Sequence, residues 1–246
     1  MFKLGKKPAV YNKKMLHFEH YIKRESLPLI PAQFGHENAV TSWGMLGNDT
    51  VGDCVFAGAD HETMLWTVEE GKPAHFTADN AISDYSAVTG YDSSNPRTDQ
   101  GTNVQDAMDY RKSTGLIDAA GNRHKIGGYL ALEPGNLRHV MEALYLFSAV
   151  AVGIEFPDSA MDQFNAMKPW AVVPGASVQG GHYVPLVANR GNLVVVTWGR
   201  LQQMTPQFYI KYADEAYAVL SLEFLKSGKS PEGFNLEQLQ ADLASL

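Results

Sequence analysis

The chain has 246 residues, 45% of them hydrophobic, which excludes a disordered polypeptide and suffices for a sizeable core. Its single cysteine, Cys54, excludes an internal disulfide and a zinc centre built on cysteines. The net charge of −7 is unevenly spread: residues 1–24 hold seven Lys or Arg against Glu19, and the rest is acidic, a poor nucleic-acid binder as a whole. The basic start has two destinations, an acidic partner surface or the chain's own acidic body. It lacks the continuous apolar core of a signal peptide, and the longest apolar stretch, 144–154, is too short for a bilayer. A cytoplasmic or virion-associated protein with no membrane or nucleic-acid partner is expected.

In chain order, residues 1–38 read as irregular, punctuated by Pro8, Pro28 and Pro31. Val55, Ala59, Met64, Leu65 and Val68 fall near helical spacing and predict a helix over 53–70. A second helix opens at Thr77 and closes at Gly90. After the polar loop 96–102, a third runs over 103–114 and ends at Gly115. Pro134 and Asn136 introduce a short helix over 137–147. Strands then follow at 149–156, 182–188, 193–198, 208–212 and 216–222, with a hairpin turn at 189–192. Asn235 and Gln238 resemble a capping box, opening a helix with the stripe Leu236, Leu239, Leu243 and Leu246, which is expected to pack on its own domain. Helices first and strands second predict an α+β architecture in two lobes. The expected divisions are a basic segment over 1–26, a domain over 27–225 and a C-terminal amphipathic helix over 226–246. Within the domain, 27–130 forms a helical lobe and 131–225 a β-rich lobe.

The run from Asn48 through Gly52-Asp53 to Cys54 carries the clearest chemistry. With Asp53 as N-cap, Cys54 is the first helical residue, where the helix dipole and unpaired backbone N–H groups favour thiolate. Asp53 opposes this weakly as a second anion. Taken alone, such a cysteine is as readily a small buried hydrophobe. The second feature is Gly180-Gly181-His182, where bare backbone beside an imidazole suits a cleft wall. His61 stands two helical turns from Cys54, roughly 10 Å along the axis, too far for a direct hydrogen bond, and reads as a structural histidine. No metal-ligand spacing joins Cys54, His61 and His182, and no cofactor motif is present, so neither metal nor cofactor is expected.

The order of Cys54 in the helical half and His182 in the strand half resembles that of thiol proteases. Together with Asn48 to Cys54, Thr98-Asp99-Gln100-Gly101-Thr102, Gly180-Gly181-His182 and Thr197-Trp198-Gly199, it resembles the papain-like cysteine peptidase family over roughly residues 27–215. The pattern is most similar to papain-like proteins of bacteria and their phages. The resemblance implies a two-lobed fold with the active-site cleft between the lobes. It implies Cys54 as nucleophile, His182 as proton carrier, Asn48 in place of the family's oxyanion-hole Gln, and Trp198 as a shield for the histidine. Gly101 and Gly181 would offer backbone to an extended peptide or protein substrate. The sequence departs from the family at Val196, which stands where an Asn orients the histidine. Strand alternation would put Val196 and Trp198 on one face and Thr197 on the other, making Thr197 a poor substitute unless the register slips. Two other readings stay open: a Cys-His acyltransferase or peptidoglycan amidase, and a catalytically degenerate phage structural or host-interaction protein. A filled cleft with the cysteine and histidine more than about 4 Å apart would favour the last, since that exceeds hydrogen-bond reach.

Overall fold

The computed structural model describes residues 2–10, 15–222 and 233–245. Lys13, Lys14, Leu246 and the expected boundary at 225–226 lie outside them. The helices are α1 (Cys54–Glu69), α2 (Ala78–Thr89), α3 (Val104–Ser113), α4 (Leu137–Phe147), α5 (Asp158–Asn165), α6 (Pro206–Tyr212) and α7 (Leu236–Ser245). The strands are β1 (Phe34–Gly35), β2 (Leu116–Ile117), β3 (Arg123–His124), β4 (Ile126–Leu132), β5 (Val150–Pro157), β6 (Val178–Asn189), β7 (Leu193–Thr197), β8 (Arg200–Met204) and β9 (Ala213–Ser221). Strands β4-β9-β5-β6-β7-β8 form one antiparallel sheet, with β1 also pairing β6, while β2 and β3 make a separate ribbon. The architecture is α+β and two-lobed.

Local sequence explains the helix ends. Thr77 and Asn80 form a capping box ahead of α2, and Gly90 ends it with φ 73°. Helix α1 is buried from Cys54 to Trp66 on every face, so it has no polar stripe to mark it out. Its polar residues therefore need partners inside the protein. Glu62 has them: Arg111 Nη1 donates at 2.7 Å and the Tyr183 hydroxyl at 2.6 Å.

The sheet divides the core into two clusters. On one face Tyr183 and Val187 of β6 join Val55, Phe56 and Leu65 of α1. On the other, Val184 and Leu186 join Val152, Phe156, Trp198 and Phe208. The alternation along β6 follows from the two-residue period of a strand.

Two observations differ from the sequence-based expectation. Residues 206–212 are the helix α6, not a strand: Thr205 caps the Phe208 N–H and Pro206 occupies the first turn. Strands β4 and β8 and helix α5 had no predicted counterpart. The N-terminal segment is woven into the body, since Phe18 and Tyr21 are buried with Phe147 and Phe234. The stripe of α7 packs inward, with Leu236 and Leu239 buried and Leu243 against Gly128. Among the described residues, no helix is long and apolar enough to cross a membrane.

Candidate active site

Cys54 opens α1, with Asp53 as its N-cap, and both are fully buried. The cysteine sulfur meets the backbone of Tyr183, next to His182, and of Gly5. Asp53 opposes the thiolate, as the sequence suggested, adding to the effect of burial on Cys54. Burial pushes the Asp53 carboxyl well above its ordinary range. Asn48 itself is buried in the turn before the helix, where its amide donates to the Val51 carbonyl at 3.3 Å.

His182 is held on three sides. Its Nε2 shares a hydrogen bond with Thr197 Oγ1 at 2.7 Å, Trp198 stacks on its ring at 4.4 Å and 15°, and Phe156 meets it edge-on at 5.5 Å. With Nε2 committed, Nδ1 is buried without a hydrogen-bond partner.

The expectation that Thr197 points away from the histidine is therefore overturned. Leu186 of β6 pairs with Val195 of β7 in the same core cluster, so Thr197, two residues on, shares the face of His182. Val196 faces the opposite cluster. Trp198 returns to the histidine because the strand has ended: Trp198 and Gly199 both have positive φ, 45° and 75°, between the paired Thr197 and Arg200. That is the signature of a two-residue type I′ hairpin. Positive φ in a bulky residue costs about 1–2 kcal/mol, and here the cost accompanies a ring stacked on the histidine.

The cleft is occupied by the chain's own start. The Lys6 N–H donates to the Gly181 carbonyl at 3.0 Å, the Lys7 N–H to Thr102 at 2.9 Å, and the Thr102 N–H to Gly5 at 2.7 Å. Residues 2–7 thus lie extended between the Gly101-Thr102 wall and the Gly180-Gly181 wall. The glycines make the passage possible. A Cβ on Gly101 would stand 2.3 Å from Gly5 O, one on Gly181 2.3 Å from Lys6 O, and one on Gly5 only 1.8 Å from Gly52 O. At the end of the segment Phe2 stacks on Trp198 at 5.1 Å.

Lys6 anchors this arrangement. Its side chain is wholly buried, with Nζ 2.7 Å from Asp214 Oδ2, 2.9 Å from Glu215 Oε1, and donating to the Lys7 carbonyl. Burial works against its charge, but Glu215 and Asp214 outweigh it and its pKa is raised. Removing one partner from such a cluster costs about 3–5 kcal/mol, because charge is left buried and uncompensated.

Under this cover the thiol and imidazole are both neutral. Burial pushes the Cys54 thiol up to about 12, against the backbone of Tyr183 and Gly5. Burial lowers His182 to about 3. Among the described residues, no hydrogen bond joins the Cys54 sulfur to the His182 ring. Burial thus disfavours the charged form of both groups.

Sequence reasoning missed several supporting residues. Asp99 accepts from the Gly52 N–H at 3.1 Å and from the Tyr85 hydroxyl at 2.7 Å, while that hydroxyl accepts from the Gly101 N–H at 3.0 Å. One carboxylate thus ties the loop before Cys54 to the Gly101 wall. The four glycines at a single crossing were visible in the sequence; their convergence was not. His61 is structural as read: its Nε2 meets the carbonyls of Trp43 and Gly44 at 2.9 and 3.1 Å. Among the described residues, no group of His, Cys, Asp and Glu is arranged to hold a metal. A separate cavity of about 370 Å³, lined by Met15, His17, Glu133 and His139, holds none of the predicted site residues but reaches Glu215 and Tyr217.

Comparison with models of known protein families finds no match to this sequence, and comparison with curated protein sequences finds none either. Solved structures do match. Xylellain, a cysteine protease from Xylella fastidiosa, superposes with a TM-score of 0.71 at 12% identity, over 90% of this chain and 97% of that one. Procathepsin B S9 from Trypanosoma congolense gives 0.62 at 10% identity, over 87% and 86% of the two chains. A cysteine protease of Carica candamarcensis in complex with E-64 gives 0.56 at 13% identity, over 78% and 99%. The chain has the papain-like fold.

Proposed function

We propose that the protein is a papain-like cysteine peptidase, a thiol hydrolase of peptide or amide bonds, held latent by its own residues 2–7. The observation that carries this reading is the cleft itself: it binds an extended peptide segment by its backbone, directly against Cys54. Once that segment leaves, water and substrate reach the thiol and the imidazole, and the penalty on their charged forms falls. Cys54, at the helix N-terminus, then ionises with His182 as its proton partner.

In the reaction the Cys54 thiolate attacks the acyl carbon. The Cys54 N–H and the Asn48 amide hold the carbonyl oxygen as it becomes an oxyanion. The proton on His182 passes to the leaving amine as the C–N bond breaks. A water molecule gives a proton back to His182 and its oxygen to the acyl group, releasing a carboxylic acid and regenerating Cys54. Thr197 takes the orienting place that Val196 leaves empty, and Trp198 covers the histidine.

The test is covalent labelling with an epoxide probe such as E-64, followed by mapping of the modified peptide. Label is expected on Cys54, slowly at pH 7 in the native chain, faster as pH rises toward 12, and greatly reduced by His182→Ala. Labelling no faster than free cysteine in a chain with a displaced segment, and unaffected by His182→Ala, would refute the catalytic reading. A second reading, a non-catalytic protein keeping the fold, is favoured by one observation: the cleft is filled and the two groups are not hydrogen-bonded to each other. It predicts that second result.

A further inference from the structure

We infer that Asp214 and Glu215 form a subsite for the side chain of a lysine or arginine in the bound peptide. This inference rests on the peptidase reading above and specifies the substrate class of that same cleft. An ammonium already sits in the subsite, that of Lys6, within 2.9 Å of a carboxylate oxygen from each residue. The acids belong to β9, part of the body, whereas the lysine belongs to the segment that fills the cleft. When that segment leaves, the carboxylates stay and the Lys6 ammonium goes with it.

The site is shaped as well as charged. A Cβ on Gly153 would lie 2.7 Å from Lys6 Cε and 2.9 Å from Cδ, so the missing side chain is the channel for the lysine stem. Tyr217 donates its hydroxyl to Glu215 Oε2 at 2.8 Å, which leaves Oε1 turned to the ammonium. An apolar side chain could follow the stem but would bring no cation to Glu215 Oε1, so discrimination against it is built in. The subsite is also close to the chemistry. The lysine that fills it has its backbone on Gly181, the residue before His182, and follows Gly5, which meets the Cys54 sulfur.

The experiment uses the full chain with Lys6→Met, which keeps the stem and removes the ammonium. Gly5→Val, which displaces the strand while leaving Lys6 in place, serves as a second background should the first not fold. Synthetic peptides identical except for one Lys or norleucine, moved through each position, are assayed for cleavage. Their equilibrium binding is measured by calorimetry on the same chains carrying Cys54→Ala. At one position the Lys peptide is expected to bind, and to be cleaved, about tenfold or more better than its norleucine twin, the effect of a charge-assisted contact. Glu215→Gln should bring that ratio close to one. Lysine-selective binding without cleavage upholds the subsite and refutes the peptidase. Cleavage with no Lys preference at any position overturns the subsite and leaves the peptidase standing. No binding of any peptide overturns the subsite too.

Discussion

His182 is anchored by Thr197, one residue beyond Val196. An imidazole serves as proton carrier only when one nitrogen is anchored and the other is free to face the nucleophile. Here Thr197 Oγ1 holds Nε2 at 2.7 Å and Nδ1 has no hydrogen-bond partner, so Nδ1 is the nitrogen that the proposed reaction would use. A hydroxyl can donate or accept, so it secures the ring without the charge of a carboxylate or the reach of an amide. Replacing Thr197 by Ala removes one hydrogen bond, about 1.4 kcal/mol, and should slow Cys54-dependent cleavage about tenfold. Thr197→Ser should restore the rate and the pH profile, which a purely structural effect of lost packing would not. Kinetics on the two variants, with KM and kcat separated, check this.

At the scale of elements, α1 and β6 carry the site between them, and their contact is unusually close. A Cβ on Gly58 would lie 2.5 Å from the Tyr183 ring, whose hydroxyl returns to Glu62 one turn along the same helix. Gly58→Ala should therefore destabilise the fold by about 1–3 kcal/mol despite the better helix propensity of Ala, as overpacked cores do. Urea denaturation would read this as a lower midpoint with an unchanged slope. The legibility of the elements from sequence follows the range of the signals. Helices α1, α2 and α3 and the turn at 189–192 announce themselves through caps and glycines a few residues away. Helix α6 carried the same kind of signal in Thr205-Pro206, but the aromatic run from Phe208 to Tyr212 has strand-like composition and masked it. The helix start at Cys54 and the strand carrying His182 were legible as local patterns, while their assignment as a pair came from chain order and the resemblance to papain-like peptidases. The role of Thr197 was not, because it depends on the register of β6 against β7 and on the positive φ of Trp198.

Across the whole molecule, the charge split of the sequence resolves into a strap. The basic start runs through the cleft of the acidic body, with Lys6 on Asp214 and Glu215 and Lys3 3.6 Å from Asp99. Further along, Arg24 lies on Glu142 at 2.9 Å. These pairings join positions more than 90 residues apart, which is why composition showed the asymmetry and could not show its purpose. The strap explains how a thiol at a helix N-terminus is neutral: the same contacts that fill the cleft exclude the water a thiolate and imidazolium need. On the proposed function, this cleft hydrolyses peptides through Cys54 once residues 2–7 are displaced. The most direct measurement is cleavage of an unfolded protein by the full chain carrying Gly5→Val, beside the native chain and the same variant with Cys54→Ala. Cleavage at least about tenfold above the native chain is expected, as a shift toward the open state requires, with its loss in the chain carrying Cys54→Ala. A Gly5→Val chain whose Cys54 alkylates as fast as a free thiol, yet which cleaves nothing, would contradict the proposed function.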